Sequence, residues 1–80
     1  MSRSWVTSDA YERVVRTLVE ARLQAELTQR DLAQRLGKPR SYVSKIETKE
    51  RRLDLVEFVE LAEAIGIDPV GLFTRIIQKS

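Results

Sequence analysis

The stretch QRDLAQRLGKPRSYVSKIE, Gln29 to Glu47, constrains this chain more than any other. It reads as two short helices joined by a tight turn. Thr28 is a good N-cap, and Asp31 three residues later comes close to a capping box. Leu32, Ala33 and Leu36 recur at i, i+1 and i+4, on one side of a helix. Gly37 ends that helix, because glycine takes the left-handed conformation at low cost. Pro39 fits only the edge of the second helix, at or just before its first position.

The second segment has two unlike faces. At about 100° per residue from Arg40, Ser44 falls near about 40°, Thr48 near about 80°, Ser41 near about 100° and Lys45 near about 140°. Val43 and Ile46 fall opposite, near about 300° and about 240°. One face is small, polar and cationic; the other is aliphatic. Small hydroxyls let a helix backbone approach a partner surface, and Arg40 and Lys45 reach beyond them as multi-donor cations. That combination suits the major groove of duplex DNA, where guanine presents two acceptors and thymine a methyl and an acceptor. Ala33 is small where the two helices cross, Gly37 lies at the turn, and Val43 and Ile46 take core positions. This is the helix-turn-helix pattern, over about residues 28–47.

Thr28-Gln29-x-x-Leu32-Ala33-x-x-x-Gly37, followed by Ser41-Tyr42-Val43-Ser44-Lys45-Ile46-Glu47, resembles the lambda-repressor and Cro-like (XRE-type) family of bacterial DNA-binding domains, from roughly Arg22 to Phe73. The chain departs from that pattern at Lys38, where an aliphatic residue is usual, and at Pro39, where a Ser or Thr cap is usual. The resemblance implies an all-α, five-helix domain that binds duplex DNA with Arg40–Glu47 as recognition helix. It implies that Gln29 meets the DNA backbone, and that Arg22 pairs with Glu47 to brace the first helix against the recognition helix. Arg40 stands where the family can carry a Gln steadied by the residue at the Gln29 position. The run Arg40-Ser41-Tyr42-Val43-Ser44 and the small size also resemble the controller proteins of restriction–modification systems. Because the same family supplies antitoxins, a toxin protein is the alternative partner.

Eighty residues make one domain with one modest core. The chain has no Cys and no His, so disulfides and thiolate or imidazole metal sites are absent, no cofactor is expected, and the composition suits a reducing cytoplasm. Met1 to Thr7 has no apolar run, so neither a signal peptide nor a membrane span is expected. The chain has no glycine-rich phosphate loop, and its carboxylates fall on charged helix faces, so it is not expected to be an enzyme. The net charge of +2 hides a strong asymmetry. Lys38 to Arg52 holds six basic residues against Glu47 and Glu50, a net of +4, whereas Leu53 to Asp68 holds five acids and no base. The positive end falls on the second motif helix and the loop after it, which points to a polyanion partner.

Taken in order, residues 1–7 form a flexible arm and residues 8–80 the domain. Trp5 either packs back on the core or serves a partner chain. Ser8 caps a first helix whose apolar stripe is Tyr11, Val14, Val15, Leu18 and Ala25. Arg22 lies close to that stripe, where a charge is costly unless paired, and Glu47 lies near the inward edge of its own helix. Arg40, Ser41, Ser44 and Lys45 are the candidates for base contact, with Arg40 foremost. Gln29, Tyr42, Thr48, Lys49, Arg51 and Arg52 are the candidates for the DNA backbone. Tyr42 sits on the border between the two faces, and its ring either lies along the sugar–phosphate chain or covers the core edge. Asp54 caps a fourth helix with the stripe Leu55, Phe58, Val59, Ala62 and Ile65, which Gly66 ends. Its Glu57, Glu60 and Glu63 lie on the outer side, which should face away from DNA or towards another subunit. Asp68-Pro69 starts a fifth helix carrying Val70, Leu72, Phe73, Ile76 and Ile77. So short a helix cannot bury all of these, which makes Phe73, Ile76 and Ile77 candidates for a dimer contact. The whole reads as a compact transcriptional regulator, a symmetric homodimer reading two half-sites about one helical turn apart.

Overall fold

The computed structural model describes Trp5 and residues 8–78. The expected arm over residues 1–7, Trp5 apart, lies outside the described residues. Five helices occur in order: α1 Asp9–Gln24, α2 Gln29–Leu36, α3 Arg40–Glu47, α4 Leu55–Ile65 and α5 Pro69–Ile77. No strand occurs among the described residues, and the fold is all-α.

Short polar side chains set four of the five helix starts. The Ser8 hydroxyl accepts from the Tyr11 N–H, and the Asp68 carboxylate from the Gly71 N–H. Thr28 with Asp31 and Asp54 with Glu57 form full capping boxes, each side chain bonding the other residue's backbone N–H. Pro39 starts α3 without any side-chain cap, its extended backbone simply leading into the helix. Gly37 closes α2 at φ 68°, ψ 32°, where any side chain would be strained. That left-handed turn reverses the chain within three residues and sets α3 across α2.

The core gathers Leu18 and Ala21 of α1, Leu32 and Ala33 of α2, Val43 and Ile46 of α3, Phe58, Leu61, Ala62 and Ile65 of α4, and Leu72 and Ile76 of α5. α2 packs chiefly on α3 and α4, while α1 lies against α3, α4 and α5. The motif helices therefore sit on a platform made by the other three. Arg35 adds a polar tie between layers, its Nη1 donating to the Ala64 carbonyl at 2.8 Å near the end of α4.

Three expected core positions differ. Ala25 follows the last turn of α1 and is exposed; Ala21 takes the buried place. Leu55 is 74% exposed, and Leu61 replaces it at 3%. Leu55 is the first residue of α4, and helical side chains lean towards the N-terminus, so it overhangs the helix end instead of meeting a neighbour. On α5, Ile76 is 6% exposed and belongs to the monomer core, which corrects its assignment as a dimer contact. The helix carries two stripes. Leu72 and Ile76, four apart, point inwards, while Val70, Phe73 and Ile77, at steps of three and four, lie in water at 72%, 50% and 58% exposure.

Candidate nucleic-acid interface

Val43 and Ile46 anchor α3 in the core, which leaves its opposite face outward. Arg40, Ser41 and Lys45 are exposed there, and Ser44 is half-buried between them. The Ser44 hydroxyl donates to the Ser41 carbonyl at 3.3 Å, a local bond that a better acceptor readily replaces. Thr48, the C-cap, donates its hydroxyl to Glu50 Oε2 at 2.7 Å and contacts the Lys45 carbonyl at 3.4 Å. The face is shallow, with long cations at its two ends.

The starts of α2 and α3 meet beside this face. Arg22, Thr28, Gln29, Arg30 and Arg40 line an open notch of about 350 Å³ there. Three arginines and the N-terminal turn of α2 border it, and a helix N-terminus favours anions. Arg30 escaped the sequence reading, although its signal was present. A cation in the first turn of a helix opposes the dipole, so its presence asks for an anion close by.

Behind the notch lies a buried polar knot. Arg22 Nε donates to Glu47 Oε2 at 2.7 Å, and its Nη2 to Glu47 Oε1 at 3.0 Å. Its Nη1 donates to the Leu27 carbonyl at 2.8 Å. Gln29 Nε2 donates to the same Glu47 Oε1 at 2.8 Å. Arg22 is only 8% exposed. The knot joins α1, α2 and α3, and it holds the Gln29 amide back against Glu47.

The loop between α3 and α4 is built differently from its sequence expectation. Lys49 takes a left-handed backbone at φ 64°, and its ammonium meets Glu12 of α1. Arg51 grips Glu57 with both arms, Nη1 to Oε1 at 3.0 Å and Nη2 to Oε2 at 2.6 Å. Its guanidinium also lies over the Tyr42 ring, 4.7 Å from the centroid, with Lys38 at 5.4 Å. Tyr42 packs against the core edge. Arg51 and Tyr42 are thus engaged with α4, and Glu57 turns from the expected outer side towards Arg51. Glu60 and Glu63 remain exposed. Arg52 is exposed beside the Trp5 ring, 5.8 Å from its centroid, and Trp5 itself packs edge-on against Tyr11 of α1.

These pairs shift protonation. The Arg51 guanidinium, then the Asp54 N–H, hold the Glu57 carboxyl at about 2, against an ordinary 4.5. The Lys49 ammonium lowers Glu12, the Thr28 N–H lowers Asp31, and burial raises the Tyr42 phenol. Because Glu57 is depressed in the fold, the stability it adds is fully present above about pH 4.5 and is lost as the pH falls towards about 2. The gap in urea midpoint between wild type and Glu57→Gln should therefore be clear at pH 7 and narrow at pH 2.5. A gap of equal size at both values would mean that the pair adds nothing.

Among the described residues no cluster of carboxylates could hold a metal ion, and no helix is long and apolar enough to cross a membrane. A glycine-reversed pair of helices, the second presenting a small cationic face beside an arginine-lined notch, defines a helix-turn-helix domain. Residues 18–72 match the helix-turn-helix family model. The fold is similar to that of an XRE-family like protein from Pseudomonas syringae pv. tomato str. DC3000, with a TM-score of 0.81 and 46% identity over 84% of this chain and 82% of that one. No curated protein matches. The chain belongs to the XRE-type helix-turn-helix family, whose members are DNA-binding regulators and generally not enzymes.

Proposed function

We propose that this chain is a sequence-specific double-stranded DNA-binding transcriptional regulator, a repressor that works in the cytoplasm with α3 in the major groove. The observation that carries this reading is the outward face of α3, on which Arg40, Ser41 and Lys45 stand exposed at the edge of the arginine-lined notch. Arg40, Ser41, Ser44 and Lys45 read bases. The first turn of α2 at Gln29 and Arg30, together with Thr48 and Arg52, meets phosphates and sets the register. The stripe Val70, Phe73 and Ile77 covers itself against a second copy, so that two α3 helices address two half-sites about one helical turn apart.

The test is fluorescence anisotropy with duplex DNA from upstream of the chain's own gene, against a scrambled duplex, over a salt series. The upstream duplex should bind about a thousandfold or more tighter, with two chains per duplex by sedimentation. Equal, weak binding to both would overturn sequence-specific recognition at that site.

A second reading, an antitoxin-type module that also binds a toxin protein, draws support from Leu55 and Val56, large apolar side chains left in water at the start of α4. A second small protein that co-purifies in stoichiometric amount, and is lost on Leu55→Glu, would favour it.

A further inference from the structure

We propose that Glu57 is a built-in counterion that takes Arg51 out of DNA binding, so that the loop after α3 grips phosphate without this cation of its sequence. The proposal rests on the DNA-binding reading above.

Arg51 spends three of its five donors inside the chain. Two charge-assisted bonds go to the two oxygens of one carboxylate, and Nη1 also reaches the Arg52 carbonyl at 3.0 Å. A planar guanidinium in such a fork is pre-organised, and it loses little further freedom by staying there. The Tyr42 ring covers one face of the group.

The acceptor is fixed as well. Glu57 is the third residue of α4, and its Oε1 takes the Asp54 N–H at 2.9 Å while its own N–H reaches Asp54 Oδ1 at 2.8 Å. The carboxylate also sits at a helix N-terminus, where negative charge is favoured. It cannot follow a departing arginine. A phosphate that recruits Arg51 must therefore displace a carboxylate held in place by the helix, and leave that carboxylate facing the DNA.

The same loop meets a second carboxylate from another helix, Glu12 of α1, at Lys49. Arg52 lies beside the uncharged Trp5 ring and keeps its positive charge for a phosphate. The bond from Arg51 to the Arg52 carbonyl ties down the backbone that carries that side chain. Arg51 is then a positioning residue for the loop, and Glu57 sets how many cations the loop offers.

The experiment measures binding of wild type, Arg51→Gln, Glu57→Gln and the double variant to scrambled duplex over a salt series, so that base reading does not enter. Each phosphate neutralised contributes about 0.9 to the slope of log affinity against log salt. Arg51→Gln should keep the wild-type slope. Glu57→Gln should steepen it by about 0.9 per bound chain and bind more tightly at low salt. The double variant should return to the wild-type slope. A glutamine at 57 can still accept the Asp54 N–H, and thermal unfolding checks that each variant folds. Should Glu57→Gln not fold, Arg51→Gln alone decides. A slope shallower by about 0.9 in Arg51→Gln would show Arg51 on a phosphate and overturn the proposal. A steepening that survives in the double variant would also overturn it, by assigning Glu57 a general repulsion. Wild-type protein that binds neither duplex would remove the DNA-binding reading itself, and the proposal with it.

Discussion

Glu47→Ala should lower the unfolding free energy by about 3 kcal/mol or more, because it strands a buried arginine. Arg22 is 8% exposed, and two of its three hydrogen bonds end on Glu47. Without that carboxylate the guanidinium keeps only the Leu27 carbonyl, and Gln29 loses its acceptor as well. For a domain of this size about 3 kcal/mol lowers Tm by more than about 10 °C. Arg22→Ala should cost less, though still more than about 1 kcal/mol, since Glu47 keeps the Gln29 amide as a donor. The double change Arg22→Met with Glu47→Leu should recover part of the loss, because it leaves no charge unpaired, though the Gln29 amide and the Leu27 carbonyl still lose their partners. Urea denaturation of the four proteins measures all of this. A Glu47→Ala variant within about 0.5 kcal/mol of wild type would mean that water screens the pair as it does a surface salt bridge. The pair also has a functional side. It is the polar tie between α1 and the helix that carries the reading face, so its loss should loosen the angle at which α3 is presented.

Where the sequence was legible, one local rule sufficed. A capping serine, threonine or aspartate fixes a helix start through its side-chain oxygen, which accepts a backbone N–H three residues on, and a glycine at positive φ fixes an end, so four helices start where Ser8, Thr28, Asp54 and Asp68 place them, while Pro39 marks the start of α3 by its backbone alone. Periodicity placed most of the core, but it misled at helix ends. Leu55 has the right spacing to Phe58 and overhangs the start of α4, whereas Leu61 lies mid-helix, where a neighbour is always within reach. Periodicity also left unresolved which of two adjacent isoleucines turns inward. Ile76 shares a face with Leu72, and Ile77 shares one with Phe73, so the choice depends on which stripe the rest of the core takes. The Arg22–Glu47 contact could be named from sequence because the family resemblance implies it, and the position of both charges beside apolar stripes, where each needs a partner, agrees with it. Arg51 and Glu57 gave no such signal. Both look solvated along the chain, and only the fold of the loop onto α4 brings them together. A count of cations in a sequence cannot see which carboxylate each cation meets.

Arg40→Ala should remove most of the preference for the operator while leaving the fold untouched. Arg40 is the first residue of α3, exposed, and on the same outward face as Ser41, Ser44 and Lys45. A guanidinium forked onto guanine O6 and N7 discriminates by about 1–3 kcal/mol, and a symmetric dimer uses it twice, about 2–6 kcal/mol in all. That converts to a loss of roughly thirtyfold to twenty-thousandfold in operator preference. The slope against salt should stay the same, because base contacts release no condensed counterions. Arg40→Lys separates geometry from charge. It keeps the cation but not the fork, so it should fall nearer to Arg40→Ala than to wild type in preference. The competing role is a phosphate contact made from the notch shared with Arg22 and Arg30. In that case Arg40→Ala weakens binding to operator and scrambled duplex alike, the slope falls by about 0.9 per chain, and Arg40→Lys restores both. Base reading would then pass to Ser41, Ser44 and Lys45. Only Lys45 among these reaches far, so the operator would tolerate more sequence change opposite the start of α3 than opposite its end.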